Sequence, residues 1–205
     1  MDITNFGEPK PTGHFHHDML PDDIRMLIVG QSGCGKTNLL VNLVMKYIKW
    51  THLYVITTTP NQRVYDVLRE LEDDDVYFLS PEELDRQLFD SMPPLTFVIF
   101  DDYMSVKDQT FPKEIFSKGR HKKINSAYIT QKFTETDLVI RLNANVLVMF
   151  DIDKKSRECV HSMFVNADME LQDFKKISLI NREFLAIIPN QLRKRRYIKN
   201  FSKYV

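Results

Sequence analysis

The sequence predicts an α/β domain: a mostly parallel sheet with helices on both faces. Three features predict it. Short, near-continuous apolar runs recur along the chain, helical apolar spacings separate them, and a glycine-rich loop joins the first run to the first helix. The length, 205 residues with 43% hydrophobic and 27% charged, suits one globular domain.

Residues 1–20 hold Gly7, Pro9, Pro11 and Gly13 with little periodicity, which predicts an extended arm. His14, His16 and His17 lie in it, and no Cys or carboxylate completes a standard metal-ligand spacing around them. Residues 24–29 form the first apolar run, a strand buried on both faces. After the 30–36 loop, Leu39, Leu40, Leu43, Val44 and Tyr47 mark a helix, and residues 53–56 a second strand, which completes a βαβ unit. Val64, Val67, Leu68 and Leu71 stand at i, i+3, i+4 and i+7. The acidic turn Asp73-Asp74-Asp75 leads into a short strand at 76–78. Ser80-Pro81-Glu82-Glu83 then has the form of a helix start, with a serine cap, proline at the first position and a glutamate closing the capping box.

The run 97–100 is a third strand and ends in Asp101-Asp102. A helix is expected between Pro112 and Lys118, strands at 126–130 and 145–150, and a short helix at 134–140 between them. Asp153 can cap a helix carrying Val160, Met163 and Phe164, and 184–188 reads as a last edge strand. The expected organisation is an arm at 1–20, one domain at 21–192 and a basic tail at 193–205.

The net charge is zero, but the tail holds six bases and no acid, so the other 192 residues carry 22 bases against 28 acids. Its bases alternate with Tyr197, Phe201 and Tyr204, a composition suited to nucleic-acid phosphates, to a solvated terminus, or to an acidic protein surface. No apolar run approaches the ~18 residues of a transmembrane helix, and no secretory leader is visible. Two cysteines, Cys34 and Cys159, cannot build a disulfide framework, so a reducing compartment is expected.

The chemistry concentrates at strand ends. Gly30-Gln31-Ser32-Gly33-Cys34-Gly35-Lys36-Thr37 matches the phosphate-binding pattern G-x-x-x-x-G-K-[ST], between a buried strand and an amphipathic helix. Glycines there let backbone N–H groups approach phosphates, Lys36 reaches the β- and γ-phosphates of ATP, and Thr37 ligates Mg²⁺. Cys34 is a small filler, because phosphoryl transfer requires no thiol. Asp101 and Asp102, at the carboxyl end of an apolar strand, form a Walker B pair: Asp101 for the metal shell, Asp102 to orient or deprotonate the attacking water. Gln131, after Thr130 at another strand end, can sense the γ-phosphate. The N-K-x-D segment of GTPases is absent.

The order of phosphate loop, extra strands, Asp-Asp and Thr-Gln marks an additional-strand P-loop NTPase and resembles the FtsK/HerA superfamily. Gly119-Arg120-His121 and Ile140-Arg141-Leu142-Asn143-Ala144-Asn145 narrow the likeness to the poxvirus-type virion genome-packaging ATPases of large DNA viruses. The resemblance covers about residues 27–150. It implies an ATPase using Mg²⁺ that pumps double-stranded DNA into a preformed capsid in the host-cell cytoplasm, with capsid vertex or portal proteins as partners. It also implies a homo-oligomeric ring with sites at subunit interfaces. A neighbouring subunit would then supply an arginine finger, for which Arg141 and Arg120 are the candidates. A P-loop kinase and a nucleotide-switched virion assembly protein are the competing readings.

Overall fold

The computed structural model describes residues 19–71 and 75–204. The three histidines, nearly all of the N-terminal arm and two of the three aspartates of the acidic turn lie outside the described residues; Leu20, at the arm's end, is buried in the core.

Strand β1 (Arg25–Val29) runs into α1 (Lys36–Lys46), followed by β2 (His52–Thr57), α2 (Asp66–Arg69) and β3 (Val76–Leu79). Then come α3 (Arg86–Ser91), β4 (Thr96–Asp101), α4 (Thr110–Lys118), β5 (Asn125–Thr130), α5 (Leu138–Asn143) and β6 (Val146–Met149). The chain closes with α6 (Lys154–Val160), α7 (Leu171–Lys176), β7 (Leu185–Ile187), β8 (Tyr197–Lys199) and β9 (Lys203–Tyr204). All the strands belong to one sheet, ordered β3-β2-β4-β5-β1-β6-β7-β8-β9. The first six strands in that order are parallel and the last three antiparallel. Strand β5 stands between β1 and β4, the additional-strand arrangement of P-loop NTPases.

The continuous apolar runs have a simple cause: both faces of the sheet are covered. Leu27 and Val29 of β1 point into a layer with Phe116 of α4, Ile140 of α5 and Phe174 of α7. Met26 and Ile28, alternating with them, point into the opposite layer with Leu40 and Val44 of α1 and Leu68 of α2. These four β1 side chains are wholly buried, and each such burial contributes about 1.5–3 kcal/mol. The strand that carries the phosphate loop is thus fixed from both sides.

Two expectations are corrected. The capping box at Ser80 and Glu83 forms, but it opens only a 3-10 turn, because Leu84 is extended (φ −87°, ψ 123°). The helix starts after Asp85, whose side chain accepts from the Leu88 N–H. Strand β7 is not the edge, since β8 and β9 extend the sheet beyond it. They come from the segment whose basic composition predicts a tail, and they are too short to show a pattern, although consecutive Tyr197 and Ile198 are buried in opposite layers. No described helix is long and apolar enough to cross a membrane.

Half of the bases of this segment are engaged in ion pairs. Asp168, 8% exposed, accepts from Arg196 Nη1 at 2.7 Å and from the Tyr197 hydroxyl at 2.9 Å, with Arg193 Nε at 3.6 Å. Lys199 pairs with Glu183 at 2.9 Å. Among the described residues only Lys194, Arg195 and Lys203 of the six bases have no ion-pair partner. The Arg196 hydrogen bond, with that of Tyr197, holds the Asp168 carboxyl below its usual range. A depressed folded-state value contributes stability above the unfolded value, near 3.9, and loses it as pH falls through the folded one. Asp168→Asn is therefore expected to lower the melting temperature by several degrees at neutral pH. The gap to the wild type should narrow below about pH 4; melts from pH 3 to 7 read both.

Candidate functional site

Parallel strands direct their carboxyl ends to one edge, and candidate residues from the phosphate loop, β4 and β5 collect there, around a cleft of about 610 Å³. The phosphate loop forms one wall. A Cβ on Gly30 would lie 2.6 Å from Phe150 Cβ and 2.7 Å from Cys34 Sγ, so only glycine lets β1 enter the loop here. Gly35, at the N-terminus of α1, has φ 103°, a region that disfavours side chains. Gln31 and Ser32 are exposed, and Ser32 and Gly33 line the cleft. Lys36 is only 8% exposed, and its Nζ donates to the carbonyls of Gly30 (2.8 Å) and Gln31 (2.7 Å). Burial pushes the Cys34 thiol up, which disfavours the thiolate, as a filler position requires.

The facing wall is the end of β4. Thr37 Oγ1 donates to Asp101 Oδ2 at 2.8 Å, and the Tyr65 hydroxyl donates to the same oxygen at 2.5 Å. The Asp102 N–H donates to Asp101 Oδ1 at 3.0 Å. Asp101 is 2% exposed, and burial outweighs these hydrogen bonds to hold its carboxyl above the usual range. Burial, with Asp101 beside it, pushes the Tyr65 phenol far up, so it remains a donor. A hydroxyl and a carboxylate already in contact are hard oxygen ligands of the kind Mg²⁺ takes, with the remaining positions left to phosphate oxygens and water. Thr37 and Asp101 thus fit the metal role predicted for them.

Asp102 follows in a left-handed conformation, φ 53°, which a short polar side chain tolerates. Its Oδ2 accepts from Thr59 Oγ1 at 2.8 Å and from Gln62 Nε2 at 3.3 Å. Gln131 is exposed at the cleft, whereas the Thr130 hydroxyl is occupied by Met104 Sδ (2.6 Å) and Thr136 Oγ1 (3.1 Å). Of that pair, Gln131 alone has a side chain free to meet a ligand.

The structure thus brings Lys36, Thr37, Asp101, Asp102 and Gln131 together. It does not bring Arg120 or Arg141 to them. Arg120 is exposed on the 3-10 turn before β5, and Arg141 sits on α5 before β6, lining a separate hollow with Arg25 at the opposite edge of the sheet. The Arg141 guanidinium lies against Cys159 Sγ (3.3 Å) and over the Phe133 ring (5.4 Å), and its Nε is buried with no hydrogen-bond partner.

Thr59, Gln62 and Arg182, which line the cleft, and Tyr65, buried behind it, are residues that the sequence does not single out. Thr57-Thr58-Thr59 at the end of β2 has the same form as Thr130-Gln131, an apolar strand ending in polar side chains, and that signal was available. Tyr65 and Arg182 carry none, because their roles depend on which elements meet in space.

The profile of the poxvirus A32 protein family matches residues 12–199. A search of curated protein sequences returns no match. Among solved structures, the chain is similar to the genome packaging NTPase B204 of Sulfolobus turreted icosahedral virus 2 in complex with ATP-gammaS. The identity is 15% and the TM-score 0.59, over 88% of this chain and 97% of that one. B204 of Sulfolobus turreted icosahedral virus, a DNA-packaging ATPase, matches with 15% identity and TM-score 0.61 over 90% and 98%. EssC (ATPases 2 and 3) from Geobacillus thermodenitrificans matches with 14% identity and TM-score 0.54 over 82% of this chain and 38% of that one. These likenesses show the fold, and the profile, spanning most of the chain, shows the family. The chain is a P-loop NTPase belonging to the poxvirus A32 protein family.

Proposed function

We propose that this protein is an ATP-hydrolysing motor that moves double-stranded viral DNA into a preformed capsid. It acts as a homo-oligomeric ring in the host-cell cytoplasm and docks on capsid vertex or portal proteins. The observation that carries the reading is the convergence of Lys36, Thr37, Asp101, Asp102 and Gln131 at one sheet edge in a chain of the A32 family. The B204 structures, described as genome packaging NTPases, support it.

ATP phosphates lie along the 30–37 loop in this reading, where the N-terminus of α1 and Lys36 supply positive charge. Thr37 and Asp101 hold Mg²⁺, which neutralises charge on the phosphates when bound. The Asp101 carboxylate is fixed at Oδ2 by Tyr65 and at Oδ1 by the Asp102 N–H. Asp102, held by Thr59 and Gln62, orients the water, and Gln131 reads the presence of the γ-phosphate. An arginine acts in trans across the ring interface. Arg120, exposed, is the better placed of the two candidates, since Arg141 must first leave its enclosure.

The test is steady-state hydrolysis of ATP with Mg²⁺ and no phosphate acceptor, with and without long double-stranded DNA, using Lys36→Ala as the blank. Turnover that DNA stimulates and the blank lacks is the expected result. Turnover indifferent to DNA, at concentrations where the protein binds DNA and oligomerises, overturns the motor and favours a nucleotide-switched assembly protein. Dependence on an added acceptor favours a kinase.

A further inference from the structure

The cleft has a third wall that the Walker motifs do not supply. Because β7 runs antiparallel to β6, its first residue, Leu185, pairs with Met149 at the carboxyl end of β6. The segment entering β7 is thereby brought to the same sheet edge as the phosphate loop. It lies on the β6 side of β1, whereas Asp101 and Gln131 lie on the β5 side. Arg182 sits in that segment and lines the cleft. Its Cδ is 3.9 Å from the point where a Cβ on Gly35 would stand, and its charge acts on the Cys34 thiol.

Two further observations distinguish Arg182 from an ordinary surface arginine. Asn181 and Arg182 are both left-handed, with φ 51° and 67°. Asparagine tolerates this region, but arginine adopts it rarely and at a cost. The side chain also makes no hydrogen bond or ion pair among the described residues, although several neighbouring contacts fix the turn. Glu183 N–H donates to the Ile180 carbonyl at 2.9 Å, the Glu183 carboxylate accepts from Ile180 N–H at 3.2 Å, and Lys199 of β8 pairs with Glu183 at 2.9 Å. Asn200 Oδ1 accepts from the Phe184 N–H at 2.9 Å. A strained turn, braced by the C-terminal strands, holds an unpaired cation at the mouth of a phosphate loop.

We infer that Arg182 is a nucleotide-binding residue, contributed in cis, which contacts the phosphate chain of ATP from the side of the loop opposite Asp101. Arginine suits such a contact, because its planar fork donates to two phosphate oxygens at once and is always charged. The inference rests on the reading of the 30–37 loop as an ATP site. It also gives the basic C-terminal segment a structural part in that site, since Lys199 and Asn200 hold the turn in place.

The decisive measurement is calorimetric binding of ATP and of ADP, with Mg²⁺, to the wild type and to Arg182→Gly, Arg182→Lys and Lys36→Ala. Glycine at 182 relieves the left-handed strain while removing the cation, so its melting temperature is expected to equal or exceed that of the wild type. Its dissociation constant for ATP is expected to rise about tenfold or more, the loss typical of one charge-assisted contact. Arg182→Lys should recover part of that loss. Arg182→Gly within twofold of the wild type, while Lys36→Ala loses binding, overturns the role of Arg182 and leaves the loop reading intact. A wild type that binds neither nucleotide overturns both.

Discussion

Replacing Asp102 with asparagine is expected to cut the turnover number by about 10²–10⁴-fold, the range for a positioned general base, while the dissociation constant for ATP stays within a few-fold of the wild type. The separation follows from the geometry. Among the described residues Asp102 makes no hydrogen bond or ion pair with Lys36 or Thr37; its carboxylate is held by Thr59 and Gln62, and in the proposed reading it orients the water rather than binding the phosphates. Asparagine is the informative replacement because it keeps the size and tolerates φ 53° as aspartate does; alanine would add backbone strain to the loss of chemistry. Thr59→Val should produce a smaller fall, about 3–10-fold, because it leaves the carboxylate present but removes its shorter hydrogen bond. Single-turnover hydrolysis beside calorimetric binding separates the two effects. An Asp102→Asn protein that hydrolyses ATP within tenfold of the wild type removes Asp102 from the reaction.

The fold was legible wherever burial imposed a pattern. Strands β1, β2, β4, β5 and β6 are covered on both faces and therefore read as apolar runs, with limits close to the observed ones. The C-terminal strands were not legible, because β8 has three residues and β9 two. Four successive bases, Arg193 to Arg196, precede β8 and outweigh its two buried side chains, Tyr197 and Ile198. The charges that suggest a free basic tail are, for Arg193, Arg196 and Lys199, partners of acids that lie far from them in sequence.

The same division runs through the site. Residues that act by local geometry announce themselves: Gly30, Gly35, Lys36 and Thr37 occupy fixed positions in one loop, and Asp101 and Asp102 end a strand. Residues that act by meeting another element do not. Tyr65 follows β2, yet its hydroxyl finds Asp101 because β2 and β4 are neighbours in the sheet. Arg182 reaches the loop only because β7 reverses direction beside β6. Sheet order, which no motif encodes, decides both.

Lys36→Ala is expected to reduce kcat/KM for ATP by about 10³-fold or more, at the upper end of what one charged donor aimed at developing negative charge supplies. The structure explains why this loss should leave the fold intact. The Lys36 ammonium is held by the carbonyls of Gly30 and Gln31, both on the loop itself, so no other element depends on it; Gly30 is buried and Gln31 exposed. Water can satisfy the carbonyl of exposed Gln31 after truncation, but the buried Gly30 carbonyl loses its donor, so the melting temperature should fall by several degrees while the protein stays folded. The ammonium has a third N–H beyond the two that these carbonyls accept, and a phosphate oxygen can take it. Lys36→Arg keeps the charge but not the compact shape that fits between the two carbonyls, and is expected to rescue little of the turnover. Melting curves beside kcat/KM for the two variants check both expectations. Substantial hydrolysis by a folded Lys36→Ala protein would place the phosphates somewhere other than this loop.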